Sequence, residues 1–124
     1  MRAEIAAVAD ALWEAYETRA PLPLEAFEQL DFHDGLAVQA DILRRRLDRG
    51  QQQIGWKVGL TSDRARKLVG IDDRPFGHLM QRIESGATIA ADAAADATIE
   101  PELCFTAAER ISGRNVGPEE VRSK

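Results

Sequence analysis

The sequence predicts an α+β fold, with helices gathered in residues 1–50 and the first strands of a β-rich region in residues 51–124. Three observations carry this expectation. Apolar residues in the opening segment recur every three or four positions, residues 54–60 alternate apolar with glycine or lysine, and prolines and glycines punctuate the boundaries between them.

The opening MRAEIAAVADALWEAYETRA places Ile5, Val8, Leu12 and Tyr16 on one stripe of a helix, which must stop before Pro21 and Pro23. The following APLPLEAFEQLDF is a linker with room for one helical turn at 24–30. Asp31 or Asp34 can cap a second helix running to about Arg49, with Leu36, Leu43 and Leu47 on one side and Gly50 as its stop. Arg44, Arg45, Arg46 and Arg49 crowd its C-terminal end, where cations suit the helix dipole and read as a solvated helix end.

In QQQIGWKVGLTS, Ile54, Trp56, Val58 and Leu60 alternate with Gly55, Lys57 and Gly59, a period-two strand signal. Glycine within a strand often marks the close approach of a ligand or another backbone, and Lys57 lies between two of them. Thr61 or Ser62 can cap a short helix, DRARKLV, closed by Gly70; IDDRPFGHLM then reads as a turn-rich loop. The alanine-rich 84–101 reads as a loop with a short strand around Thr88–Ala90, and Pro118, Glu119 and Glu120 make a good helix opening.

Composition narrows the function. With 124 residues, 44% apolar and 30% charged, the chain has ordinary globular composition and no run long enough for a membrane span. A net charge of −5 argues against a general nucleic-acid binder. The N-terminus lacks the layout of a secretory signal, and one cysteine, Cys104, fits a reducing cytoplasm and reads as an inert core side chain.

IEPELCF, residues 99–105, reads as a strand with two carboxylates two positions apart, so that Glu100 and Glu102 share a face. Taken alone, the pair is by default a solvated strand face. A divalent cation held by both is the alternative, because Mg²⁺ and Mn²⁺ prefer hard oxygen donors and would offset the like-charge repulsion. Pro101 places such a strand at an edge or makes it locally irregular.

DGLAVQ (34–39), GWKVGLTS (55–62) and IEPELCF, in this order and with GIDDRPFGHLM between the last two, resemble the 2-keto-4-pentenoate hydratase and 4-oxalocrotonate decarboxylase family within the fumarylacetoacetate hydrolase superfamily. The resemblance runs from about residue 4 to the C-terminus. It implies the first part of a mixed β-barrel, lyase activity on a small unsaturated 2-oxo acid from aromatic meta-cleavage degradation, and a Mg²⁺ or Mn²⁺ cofactor. Glu100 and Glu102 match two metal-binding carboxylates, and Lys57 matches the family lysine, a general acid/base or electrostatic contact. Without the resemblance, Lys57 reads as a lysine snorkelling off a strand. Thr61 and Ser62 are implied contacts to the substrate carboxylate, although helix capping explains them equally well. His78 lies in the loop that would face the site; it and His33 otherwise read as ordinary polar side chains. Gln39 and Asp34 fit packing and capping as well as substrate contact.

Two departures accompany the match. Pro75 stands where many hydratases carry an acidic residue, with Asp72 or Asp73 as a substitute, and E-P-E occurs on the decarboxylase side as well. Family members are about twice as long, with a third carboxylate ligand beyond the matched region, so the chain is expected to correspond to the N-terminal half of such an enzyme. Expected partners are further copies of itself or a partner enzyme of the same pathway, with no nucleic acid and no membrane. A non-catalytic docking module and an unrelated α+β domain with a chance E-x-E are the rival readings.

Overall fold

The computed structural model describes residues 2–90 and 98–124, which divide into two units, one ending at Gly86 and the other beginning at Ala87. The first has five elements in order: α1 (Ala3–Thr18), α2 (Phe32–Asp48), β1 (Gly55–Val58), α3 (Asp63–Val69) and β2 (Phe76–Leu79), with a 3₁₀ turn at Leu24–Phe27 between the two long helices. With helices and a two-stranded sheet, the class is α+β, as expected.

Helix α1 ends before Pro21 because Arg19 takes the left-handed conformation (φ 56°). The Asp31 carboxylate accepts the Asp34 N–H at 2.8 Å and so caps α2, satisfying one of the orphan donors of its first turn. The core lies where α1 crosses α2: Ile5, Val8 and Ala9 pack with Val38, and Leu12, Phe27, Leu30 and Ile42 close around them. The apolar side of α2 is therefore the Val38 side. Leu36 and Leu43 are only half-buried and Leu47 is exposed, which corrects the stripe expected from leucine spacing. Ala9, fully buried, is small enough to let the helices approach at that point.

The arginines at the end of α2 are not simply solvated. Arg45 reaches Asp10 on α1 at 2.5 Å and Asp41 at 2.6 Å, and Arg49 pairs with Glu17. The guanidinium of Arg49 lies 4.6 Å from the centre of the Trp13 ring, and that of Arg46 lies 5.3 Å from the centre of the Tyr16 ring. Such stacking uses the planar face of arginine while its edges stay hydrogen-bonded.

Strands β1 and β2 form an antiparallel hairpin in the register Gly55↔Leu79, Trp56↔His78, Lys57↔Gly77 and Val58↔Phe76. Strand β2 replaces part of the loop expected over 70–80. Phe-Gly-His-Leu has no alternation of its own, and β1 supplies the ladder that makes it a strand.

The second unit contains one helix among its described residues, α4 (Pro118–Arg122), with proline opening it as expected. The Ala108 N–H donates to the Lys124 carbonyl at 2.6 Å, and the Lys124 ammonium meets Glu109 at 2.7 Å. Residues 98–107 take no strand conformation, contrary to the reading of IEPELCF, and Ile99 is 98% exposed. Cys104 is likewise exposed rather than a core side chain. Thr88–Ala90 is not a strand, and the rest of that alanine-rich stretch, 91–97, lies outside the described residues. No helix among the described residues is long and apolar enough to cross a membrane.

Candidate functional site

The hairpin sorts the sequence-predicted residues by face. Trp56 packs against His78 with ring centres 4.3 Å apart and planes tilted by 45°, and it meets Phe76 edge-on at 5.5 Å, so these three share one face. Alternation then places Lys57 on the other face, flanked by Gly55 and Gly59 and opposite Gly77. The lysine face is half-buried, whereas Trp56, Val58 and Ile54 are exposed, Trp56 by 57%. Along β1, Gly55 and Lys57 are thus half-buried while Trp56 and Val58 are exposed. Lys57 and His78 occupy opposite faces of the same hairpin.

After β1 the chain turns sharply at Leu60, which takes a left-handed φ of 47°. A β-carbon disfavours that conformation by roughly 1–2 kcal/mol, so something nearby must hold it. Arg66 on α3 does so. Its side chain is buried, and one guanidinium nitrogen donates to the Leu60 carbonyl at 2.8 Å and to the Thr61 carbonyl at 3.0 Å. The other terminal nitrogen pairs with Asp63. Ser62 accepts the Ala65 N–H at 3.1 Å and is the cap of α3; Thr61 and Ser62 are both exposed. Gly59 is anchored by its N–H to the Pro75 carbonyl at 2.8 Å, and a β-carbon there would touch the Pro75 ring. Arg66 escaped sequence reasoning because DRARKLV offers three basic residues with no local cue to which one turns inward.

His78 borders a hollow of about 250 Å³ between α2 and β2, with Gln39, Ile42, Leu43, Arg46 and Gly77 around it. Its Nδ1 is buried without a hydrogen-bond partner. Gln39 donates to the Phe76 carbonyl at 2.7 Å, and the Asp34 carboxylate pairs with Arg2 while Asp31 caps the helix.

Glu100 and Glu102 lie in the second unit, exposed on an irregular segment. Their oxygens are the right donors for Mg²⁺ or Mn²⁺, but no group of three or more metal-ligating side chains occurs among the described residues. Two carboxylates alone do not complete a site for either ion.

The G-W-K-V-G-L-T-S run around Lys57 and the downstream E-P-E are the ordered motifs on which the chain resembles the hydratase and decarboxylase family named above. Comparison with curated proteins bears out that resemblance. The chain is 28% identical over 95% of its length to a 4-oxalocrotonate decarboxylase of a Pseudomonas species, covering 47% of it. It is also 28% identical over 90% of its length to a 2-keto-4-pentenoate hydratase of Paraburkholderia xenovorans, covering 41% of that protein. A 2-hydroxypent-2,4-dienoate hydratase of Pseudomonas putida is 33% identical over 56% of the chain. These relatives are lyases. The chain spans less than half the length of the relatives it matches. No family model matches it.

Proposed function

We propose that the chain is the N-terminal part of a lyase that hydrates 2-hydroxypenta-2,4-dienoate to 4-hydroxy-2-oxopentanoate in aromatic meta-cleavage degradation. The observation that carries this reading is the match to hydratases and a decarboxylase along 90–95% of the chain, with Lys57 on the half-buried glycine face of β1. In this reading Lys57 holds and delivers the proton at its Nζ. A lysine works so near neutral pH only where burial or a neighbouring cation favours its neutral form. Thr61 and Ser62 receive the substrate carboxylate, whereas His78, on the opposite face of the hairpin from Lys57, takes no part in this reading. Glu100 and Glu102 would supply two oxygens to Mg²⁺ or Mn²⁺, which would need further ligands beyond these two. The fold would be the opening of a fumarylacetoacetate hydrolase-like barrel in a cytoplasmic enzyme.

The test is a calorimetric titration of Mn²⁺ plus oxalate, a stand-in for a chelating 2-oxo acid, into the chain and its Glu100→Gln variant. Saturable binding lost in the variant supports the reading; identical binding in both removes Glu100 from the site. Decarboxylation of 2-oxohex-3-enedioate is the second reading, favoured by the decarboxylase among the relatives. Released CO₂, against retained carbon, separates the two.

The exposed Trp56, Val58, Ile99 and Phe105 favour a third role, docking onto another copy or a partner enzyme of the same pathway. That role predicts that Glu100→Gln and Lys57→Met leave partner binding intact.

A further inference from the structure

We propose that Arg66 is a positioning residue for the reaction, holding the Leu60–Ser62 turn in the one conformation that presents Thr61 and Ser62 on the way out of the Lys57 strand. The inference rests on the lyase reading above and adds to it a residue that touches no substrate.

Three independent features converge on Arg66. It is a buried charged side chain in a unit whose other buried residues are all apolar, and a buried guanidinium is costly unless its donors are satisfied. Its terminal nitrogens donate to two consecutive carbonyls, those of Leu60 and Thr61, and to Asp63. The first carbonyl belongs to the residue with the left-handed backbone. In a trans peptide the C=O and the following N–H point in opposite directions. Drawing the Leu60 and Thr61 carbonyls towards Arg66 therefore turns the N–H groups of Thr61 and Ser62 away from it, fixing how those two residues are displayed. A single planar fork makes both contacts from one nitrogen, and a strained turn three residues beyond Lys57 stays in register with the strand.

The test uses Arg66→Met, with and without Leu60→Gly. Glycine adopts a positive φ without strain, so it removes the need for the clamp. In the parent chain, the ¹³Cα and ¹³Cβ shifts of Leu60 should carry the left-handed signature. In Arg66→Met that signature should vanish, and the affinity for oxalate, the carboxylate probe for Thr61 and Ser62, should fall about tenfold, the scale of one lost charge-assisted contact. The Arg66→Met, Leu60→Gly double variant should recover most of the affinity. A role for Arg66 in packing alone would not be rescued by glycine at position 60. Should Arg66→Met fail to fold, Arg66→Gln, which keeps one amide donor, makes the same comparison with an intermediate loss. A Leu60 signature unchanged in Arg66→Met overturns the clamp, and so does an affinity that glycine does not restore. A parent chain that binds no oxalate overturns the lyase reading instead, with the Leu60 shifts reporting on the clamp separately.

Discussion

Gln39 on α2 donates its side-chain amide to the main-chain oxygen of Phe76 on β2 at 2.7 Å, joining the helix pair to the hairpin across 37 positions of sequence. Strand β2 pairs with β1, and it takes this further hydrogen bond from a helix. Isolated two-stranded hairpins are marginal in water, so such a tie matters more here than within a large sheet.

Gln39→Leu keeps much of the side-chain volume and leaves the Phe76 carbonyl without this donor. The expected cost is about 1–2 kcal/mol, concentrated in the hairpin. Amide exchange should quicken across Phe76–Leu79 while α1 stays protected. Unchanged exchange in β2 would show that the tie contributes nothing.

The Asp41 carboxylate is held below the ordinary carboxylate range, first by its hydrogen bond from Arg44 and then by Arg45, against an opposing desolvation cost. A folded value below the unfolded one means that the contribution is present above the ordinary value of 3.8 and is lost as pH falls through the folded value. Asp41→Asn should therefore lower the melting temperature near neutrality, and the gap to the parent chain should close below pH about 4. A gap that is constant with pH would assign the loss to packing.

Ile5 and Leu68 are both aliphatic side chains on helices, but Ile5 is in the core and Leu68 is 88% exposed. Ile5→Ala should cost about 2 kcal/mol or more, and Leu68→Ala within about 0.5 kcal/mol, in urea unfolding of the chain. Equal losses would mean that Leu68 is covered in solution.

Ser62 caps α3 through its hydroxyl oxygen. Ser62→Ala should cost about 1 kcal/mol, and Ser62→Asp should restore the cap. If Ser62→Asp restores stability but abolishes oxalate binding, position 62 lies against the ligand, because the new carboxylate repels it.

The helices were legible because their signals are local. The Pro21 stop, Asp31, Ser62 and Pro118 each act within a turn of their own position, and each boundary fell close to where those residues put it. Strands depend on partners. Phe76–Leu79 became one because β1 reaches it, while Ile99–Phe105, with a better strand pattern, has no strand pairing among the described residues. The face of α2 was misread because leucine count stood in for geometry, whereas the contact is set by how closely α1 approaches at Ala9. For the site, the motif residues could be named from sequence. The separation of Lys57 from His78 followed only from the hairpin register, and the inward turn of Arg66 only from the fold.

The outward side of the hairpin also makes the chain its own optical reporter. Trp56, half in water and packed against His78, should emit at long wavelength while that side is bare. Trp13, half-buried on α1 with Arg49 over its ring, adds a second emission away from the hairpin. Any molecule that covers the hairpin, whether another copy or a separate polypeptide, should draw the Trp56 emission to the blue, so the moment of assembly can be read without attaching a label.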